Sequence, residues 1–166
     1  MNPERNRMKA LTIIQPFAEL VASGDKKVEN RTWYTSYRGP LAIHAGKAKR
    51  YGGDDVFEIS EDWYDIPRES LVFGAVIAIA NLVACVRLGP PKSNVPDPVT
   101  FRPPRPSVPD AYKKRFPWLE DHEHTEGPVC WVLENVRRIE PVTIDGSRGL
   151  WDWVESEQPI TTKGTP

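Results

Sequence analysis

Eight of the chain's seventeen prolines fall in the 21 positions from Gly89 to Pro109. Proline fixes φ and lacks an N–H, so neither a helix nor a central strand can hold this stretch, and it reads as an extended excursion. Directly before it, Leu71 to Leu88 is dense in Val, Ile and Ala. Periodicity alone leaves a helix open there, but the β-branched residues, flanking glycines and lone Asn81 favour a long, bent strand. Its most apolar part, Leu71 to Val86, covers 16 positions, fewer than the roughly 20 a membrane span requires. It therefore belongs to a protein core, and no membrane partner is expected.

The remaining elements are short. Lys9 to Gln15 has the apolar, β-branched make-up of a strand. Pro16 suits the first turn of a helix, Phe17, Leu20 and Val21 form one apolar stripe at i, i+3, i+4, and Gly24 supplies a left-handed stop. Extended chain is expected from Lys27 to Trp33 and from Leu41 to Ala45. A loop and short helix should follow in 47–70, then a short helix from Asp110 to Phe116 and a strand from Pro128 to Ile139. Trp151 and Trp153 stand at i and i+2, on one side of a strand.

With 166 residues there is room for one domain, placed at 8–156 with the Pro-rich segment 89–109 as an insertion; 1–7 and 157–166 are expected to be flexible ends. Several non-local strands and a short helix after the first make the expected class α+β, a small mixed β-barrel with short flanking helices. Two cysteines cannot build a disulfide framework and no apolar leader follows Met1, so a cytoplasmic protein with free, buried Cys85 and Cys130 is expected.

The formal net charge of −1 gives no global attraction to nucleic acid. Its distribution is uneven: residues 1–50 carry ten Lys/Arg against four Asp/Glu, and residues 51–70 one against seven. The first segment is the candidate electropositive surface. At a Debye length of about 8 Å, what counts is which of its cations converge.

Three stretches carry most of the information: Gln15-Pro16-Phe17-Ala18, Gly24 to Arg31 (GDKKVENR), and Tyr37 to Ala45 (YRGPLAIHA). On a strand Glu29, Arg31 and Trp33 alternate onto one side, while Lys26 sits at the helix-to-strand turn and can reach around it. One carboxylate then has two cations nearby, as a solvated ion-pair set or as a site. A carboxylate accepts from the amino or imino edge of a base, Lys and Arg hold phosphate, and an aromatic plane stacks. Gln15 could offer its amide to a base or cap the helix. Trp33 could stack or fill the core. His44 could bond a ligand or the protein itself, and Lys47, with Lys49 and Arg50, suits phosphate or a solvated loop.

These stretches resemble the ASCH domain family, whose hallmark Gly-x-Lys-x-x-Glu-x-Arg is matched by Gly24, Lys26, Glu29 and Arg31. The Gln-Pro-aromatic-Ala step, the Tyr-Arg-Gly-Pro-apolar turn into a His-containing strand, the Gly-Ala-Val-Ile strand at Gly74 to Ile77 and the Gly-Leu-Trp ending at Gly149 to Trp151 agree with it in order. The resemblance implies a PUA-like β-barrel, related to RNA-binding modules, with a cleft for RNA or a nucleotide-like ligand. The expected ligand-binding set is Gln15, Lys26, Glu29, Arg31, Trp33, Arg38, His44 and Lys47.

Two other readings stand beside a binding module. Some ASCH-like proteins resemble amidohydrolases of N4-acylated cytidine that use a Lys, a Thr and a Glu, and others resemble ribonucleases. Lys26 matches that lysine, but the threonine position is Glu29. A carboxylate there favours an ammonium over the free amine that a general base requires. In an enzyme, Glu29 would be the base and Lys26 with Arg31 would stabilise developing negative charge. The third reading is a protein-interaction domain using the Pro-rich segment, although only Pro103, Pro104 and Pro106 approach a continuous run. His122 and His124 lack a third ligand at finger or helical spacing, so no metal is expected. No Gly-rich phosphate loop or other cofactor motif is present, so no cofactor is expected either.

Overall fold

The computed structural model describes residues 6–96 and 103–155. The expected flexible ends, apart from Asn6 and Arg7, and the middle of the Pro-rich excursion lie outside those residues. The chain runs β1 (Arg7–Ile13), α1 (Phe17–Ser23), β2 (Val28–Arg31), β3 (Gly39–Ala45), a hairpin of β4 (Arg50–Tyr51) and β5 (Asp54–Asp55), then α2 (Val56–Tyr64). A 3₁₀ turn (Arg68–Ser70) leads to β6 (Ala75–Arg87), α3 (Asp110–Lys113), β7 (Val129–Thr143) and β8 (Leu150–Val154). Six strands form one mixed sheet in the order β2-β7-β6-β3-β1-β8, with β1 and β3 parallel and the other neighbours antiparallel.

The α+β character stands, but the expected barrel does not close. Closure would require β2 to meet β8. Instead, β2 covers only one end of β7, at Val129–Val132, and β8 pairs with β1. No helix among the described residues is long and apolar enough to cross a membrane.

The apolar run folds as the bent strand its composition suggested. β6 shifts register against β7 at three points. At the first, Ile77 and Ala78 are neighbours in sequence yet join the same core cluster, as an irregularity in a period-two strand allows. Along its length β6 thereby serves three apolar clusters: one under α1, one under the Pro-rich excursion, and one around Trp153.

Helix α1 is held at both ends by its own sequence. Gln15 Oε1 accepts the Glu19 N–H at 2.9 Å, and Gly24, at φ 89°, lets the Lys26 N–H close back on the Leu20 carbonyl at 2.9 Å. A side chain in that left-handed conformation would be strained. The excursion is pinched at its base by reciprocal backbone bonds between Gly89 and Ser107, 2.9 and 3.1 Å. Val108 then enters the core beside Phe116 and Leu119.

Candidate functional site

The turn out of α1 brings Lys26 back toward β2. Its side chain is buried, with Nζ donating to the Val28 carbonyl and lying 3.3 Å from Glu29 Oε2. Glu29 Oε1 is 3.1 Å from the Arg31 guanidinium, which also donates to the Thr12 carbonyl at 2.8 Å. The expected triad therefore converges, with one carboxylate between two cations. Surface pairs of this kind contribute little. Here Lys26 is 4% and Glu29 10% exposed at the side chain, so each ion depends on its partners.

These three groups form one wall of a cleft of about 590 Å³. The rest of its lining includes Tyr51 in the β4–β5 hairpin, Trp63 and Tyr64 at the end of α2, and the loop carrying His124 and Glu126. Asn30, pointing the other way along β2 from its neighbours, holds that loop in place. Its Nδ2 donates to the His124 carbonyl at 2.8 Å, and its Oδ1 accepts from the N–H groups of Gly127 at 2.9 Å and Glu126 at 3.2 Å. Phe17 meets Tyr51 edge-on at 5.1 Å and Tyr64 at 6.2 Å, which ties the aromatic side to α1.

The electrostatics at the His124 end are unusual. Burial and the Lys26 ammonium hold its imidazole down to about 4, so it is neutral at pH 7. His122 is shifted the same way by burial, and its Nε2 accepts the Lys27 N–H at 3.1 Å. The two rings touch, with centroids 5.6 Å apart, but among the described residues no three His, Cys, Asp or Glu side chains are grouped to hold a metal. Among the described residues, two polar atoms of the cleft lining, Arg31 Nε and His124 Nε2, are buried without a hydrogen-bond partner. Cys130, bonded through its thiol to Asn30 Oδ1, is pushed up to about 11 by burial and is no nucleophile.

Of the other expected ligand residues, only Lys47 reaches the cleft. Gln15 is fully buried, with Oε1 on Glu19 N–H and Nε2 donating to the Val72 carbonyl at 2.8 Å; the amide caps α1 and is corrected from ligand to structure. Arg38 turns onto its own loop, donating to the Thr35 and Tyr37 carbonyls, and does not line the cleft. His44 is also structural: Nε2 donates to the Ile144 carbonyl at 2.9 Å and Nδ1 meets the Thr12 hydroxyl at 3.2 Å. Trp33 packs edge-on against Trp131, 4.6 Å between centroids. With His44 and Lys47 it borders a neighbouring hollow of about 650 Å³ beside the Asp145–Gly149 loop. Lys47 touches both spaces and is paired with Asp145.

The sequence reading missed Asn30, Tyr51, Trp63, Tyr64 and His124 as cleft residues. For Asn30 a signal existed, since it alternates with Glu29 and Arg31 on the same strand. The aromatic residues and His124 lie some 20 to 100 positions away, and nothing local announces that they meet β2.

Comparison with known proteins gives the geometry its context. Two curated proteins match in part, both called Activating signal cointegrator 1. The human protein is 31% identical over 93 residues, 52% of this chain and 16% of its own length. The mouse protein is 32% identical over 82 residues, 46% of this chain and 14% of its own length. The aligned region is thus a small part of those relatives. The ASCH domain itself matches residues 11–143, well over half of the chain, taking in every residue that converges on the cleft. On that match, and on the hallmark side chains gathered at one wall of it, the chain belongs to the ASCH domain family.

Proposed function

We propose that the cleft of Lys26, Glu29 and Arg31 binds an RNA segment or a nucleotide-like ligand without breaking it, in a cytoplasmic, PUA-like module spanning residues 8–156. The supporting observation is the convergence itself: two cations, an acid and exposed aromatic faces border one space of about 590 Å³. Ligand pockets commonly measure about 300 to 1,000 Å³. Lys26 and Arg31 suit phosphate, Glu29 and the unpartnered Arg31 Nε suit the edge of a base, and Trp63 or Tyr64 can stack on its face.

Fluorescence anisotropy with a short single-stranded RNA tests this. Affinity should fall as salt rises, and Arg31→Gln should weaken binding by about tenfold, the loss of one charged hydrogen-bonding group. A slope of log affinity against log salt near zero would remove phosphate neutralisation as the basis of binding.

Hydrolysis on the same cleft is less favoured, because the position that is threonine in the amidohydrolase-like pattern is Glu29, which stands here in an ion pair with both Lys26 and Arg31. Incubation with N4-acylated cytidine and with single-stranded RNA should leave both unchanged. Product in the wild-type reaction and none with Lys26→Ala would put an amidohydrolase or ribonuclease in place of a binding module. The protein-interaction reading has less support still: Pro103, Pro104 and Pro106 line a recess against their own chain.

A further inference from the structure

Beside the cleft lies a second recess, of about 640 Å³, and the two share Trp63, Tyr64, His124 and Glu126 as a common wall. Its far side is built by the return limb of the Pro-rich excursion, where Arg105 donates to the carbonyls of Glu120 and His122 at 3.4 and 3.3 Å. Two of its side chains are buried with an unanswered polar atom. His124 is 5% exposed and its Nε2 has no partner among the described residues; Thr125 is 4% exposed and its hydroxyl has none among them either. A Glu123 oxygen stands 3.6 Å from His124 Nε2, too far for a hydrogen bond. Buried polar groups are almost always satisfied, so two orphans side by side in a cavity mark a place for a polar ligand.

The remaining surface says which kind. Trp63 is the most exposed aromatic side chain among the described residues, at 71%, and stands where the two spaces meet. Pro103, Pro104 and Pro106 line the same recess, so a flat body there meets apolar surface from both the aromatic ring and the proline limb. Charge in the recess is acidic, with Asp62, Glu123 and Glu126 against Arg105. That repels a phosphate and accepts an amino group. The cations suited to phosphate lie across the shared wall, at Lys26 and Arg31.

We propose that this recess is a second base pocket, taking a nucleobase with an exocyclic amino group that stacks on Trp63 and bonds His124 Nε2 and Thr125 Oγ1. The ligand is then single-stranded nucleic acid of at least two nucleotides, with its phosphate at the Lys26 cleft. The inference rests on the reading of that cleft as a nucleotide site and adds to it a length and a base preference.

Calorimetric titration with the four ribonucleoside 5′-monophosphates and the sixteen 5′-phosphorylated dinucleotides tests it. The best dinucleotides should bind at least about fivefold tighter than any mononucleotide, the lower end of what one base stacked on an aromatic side chain contributes. Uridine at the second position should show the smallest gain. Thr125→Val keeps the shape and removes the orphan hydroxyl, so it should fold at least as stably, leave mononucleotide affinity within twofold, and lose much of the dinucleotide gain. Trp63→Ala should lose that gain too. Mononucleotides bound as tightly as dinucleotides, or a gain untouched in Thr125→Val, would overturn the second pocket and leave the first reading intact. No binding of any nucleotide would overturn both.

Discussion

Asn30→Ala probes how the cleft is held together. The side-chain amide makes two well-formed hydrogen bonds, to the His124 carbonyl at 2.8 Å and from the Gly127 N–H at 2.9 Å, and two longer contacts with the Glu126 N–H and the Cys130 thiol, both at 3.2 Å. A net contribution of about 1 kcal/mol for each short bond, and about half of that for the longer backbone contact, gives roughly 2 to 3 kcal/mol. Water entering from the cleft side would restore part of this, so about 2 kcal/mol is expected. With a urea slope of about 1 to 3 kcal/mol per molar, the unfolding midpoint should drop by about 1 M at unchanged slope. Asn30→Asp keeps the acceptor contacts but turns a second, charged oxygen toward the His124 carbonyl in place of the donor, so it should be no more stable than Asn30→Ala. Anisotropy on the same variants should show weakened RNA binding, because the His124 loop loses its anchor. A midpoint within about 0.2 M of wild type for Asn30→Ala would refute the reasoning and show the loop to be held by its other packing.

Two further outcomes are expected. In Gly146→Ala the new methyl would lie 2.5 Å from His44 Cε1 and 2.6 Å from both His44 Nδ1 and Thr12 Oγ1. That overpacking should cost about 1 to 3 kcal/mol in a denaturant melt; an unchanged midpoint would mean that the Asp145–Gly149 loop yields freely. The second concerns pH. His124 titrates at about 4 when folded, whereas an unfolded histidine titrates at about 6.5. The unfolded chain therefore binds the proton first, so stability is whole above about 6.5 and falls as pH drops through the window down to about 4. Midpoints measured between pH 7 and 4 should decline in wild type and decline less in His124→Gln. Parallel curves would sink the assignment.

Short-range chemistry was enough to read much of this molecule. The Pro-Phe-Ala-Glu-Leu-Val helix with its glycine stop, the bent apolar strand, and the meeting of Lys26, Glu29 and Arg31 are all written within windows of about ten to fifteen residues. Steric limits on φ, side-chain periodicity and tight turns act over that range, so residue order alone specifies them. Gln15 and His44 were ambiguous because an amide or an imidazole bonds a ligand and a backbone carbonyl equally well. Their partners, Val72 and Ile144, are 57 and 100 positions away. Sheet closure and the far walls of the cleft were likewise settled only by long-range packing. Which edge strands meet, and whether Trp63, His124 and the proline limb come to face β2, depends on pairings between segments tens of residues apart. Those pairings are decided by the summed burial of the whole core, which no local pattern encodes.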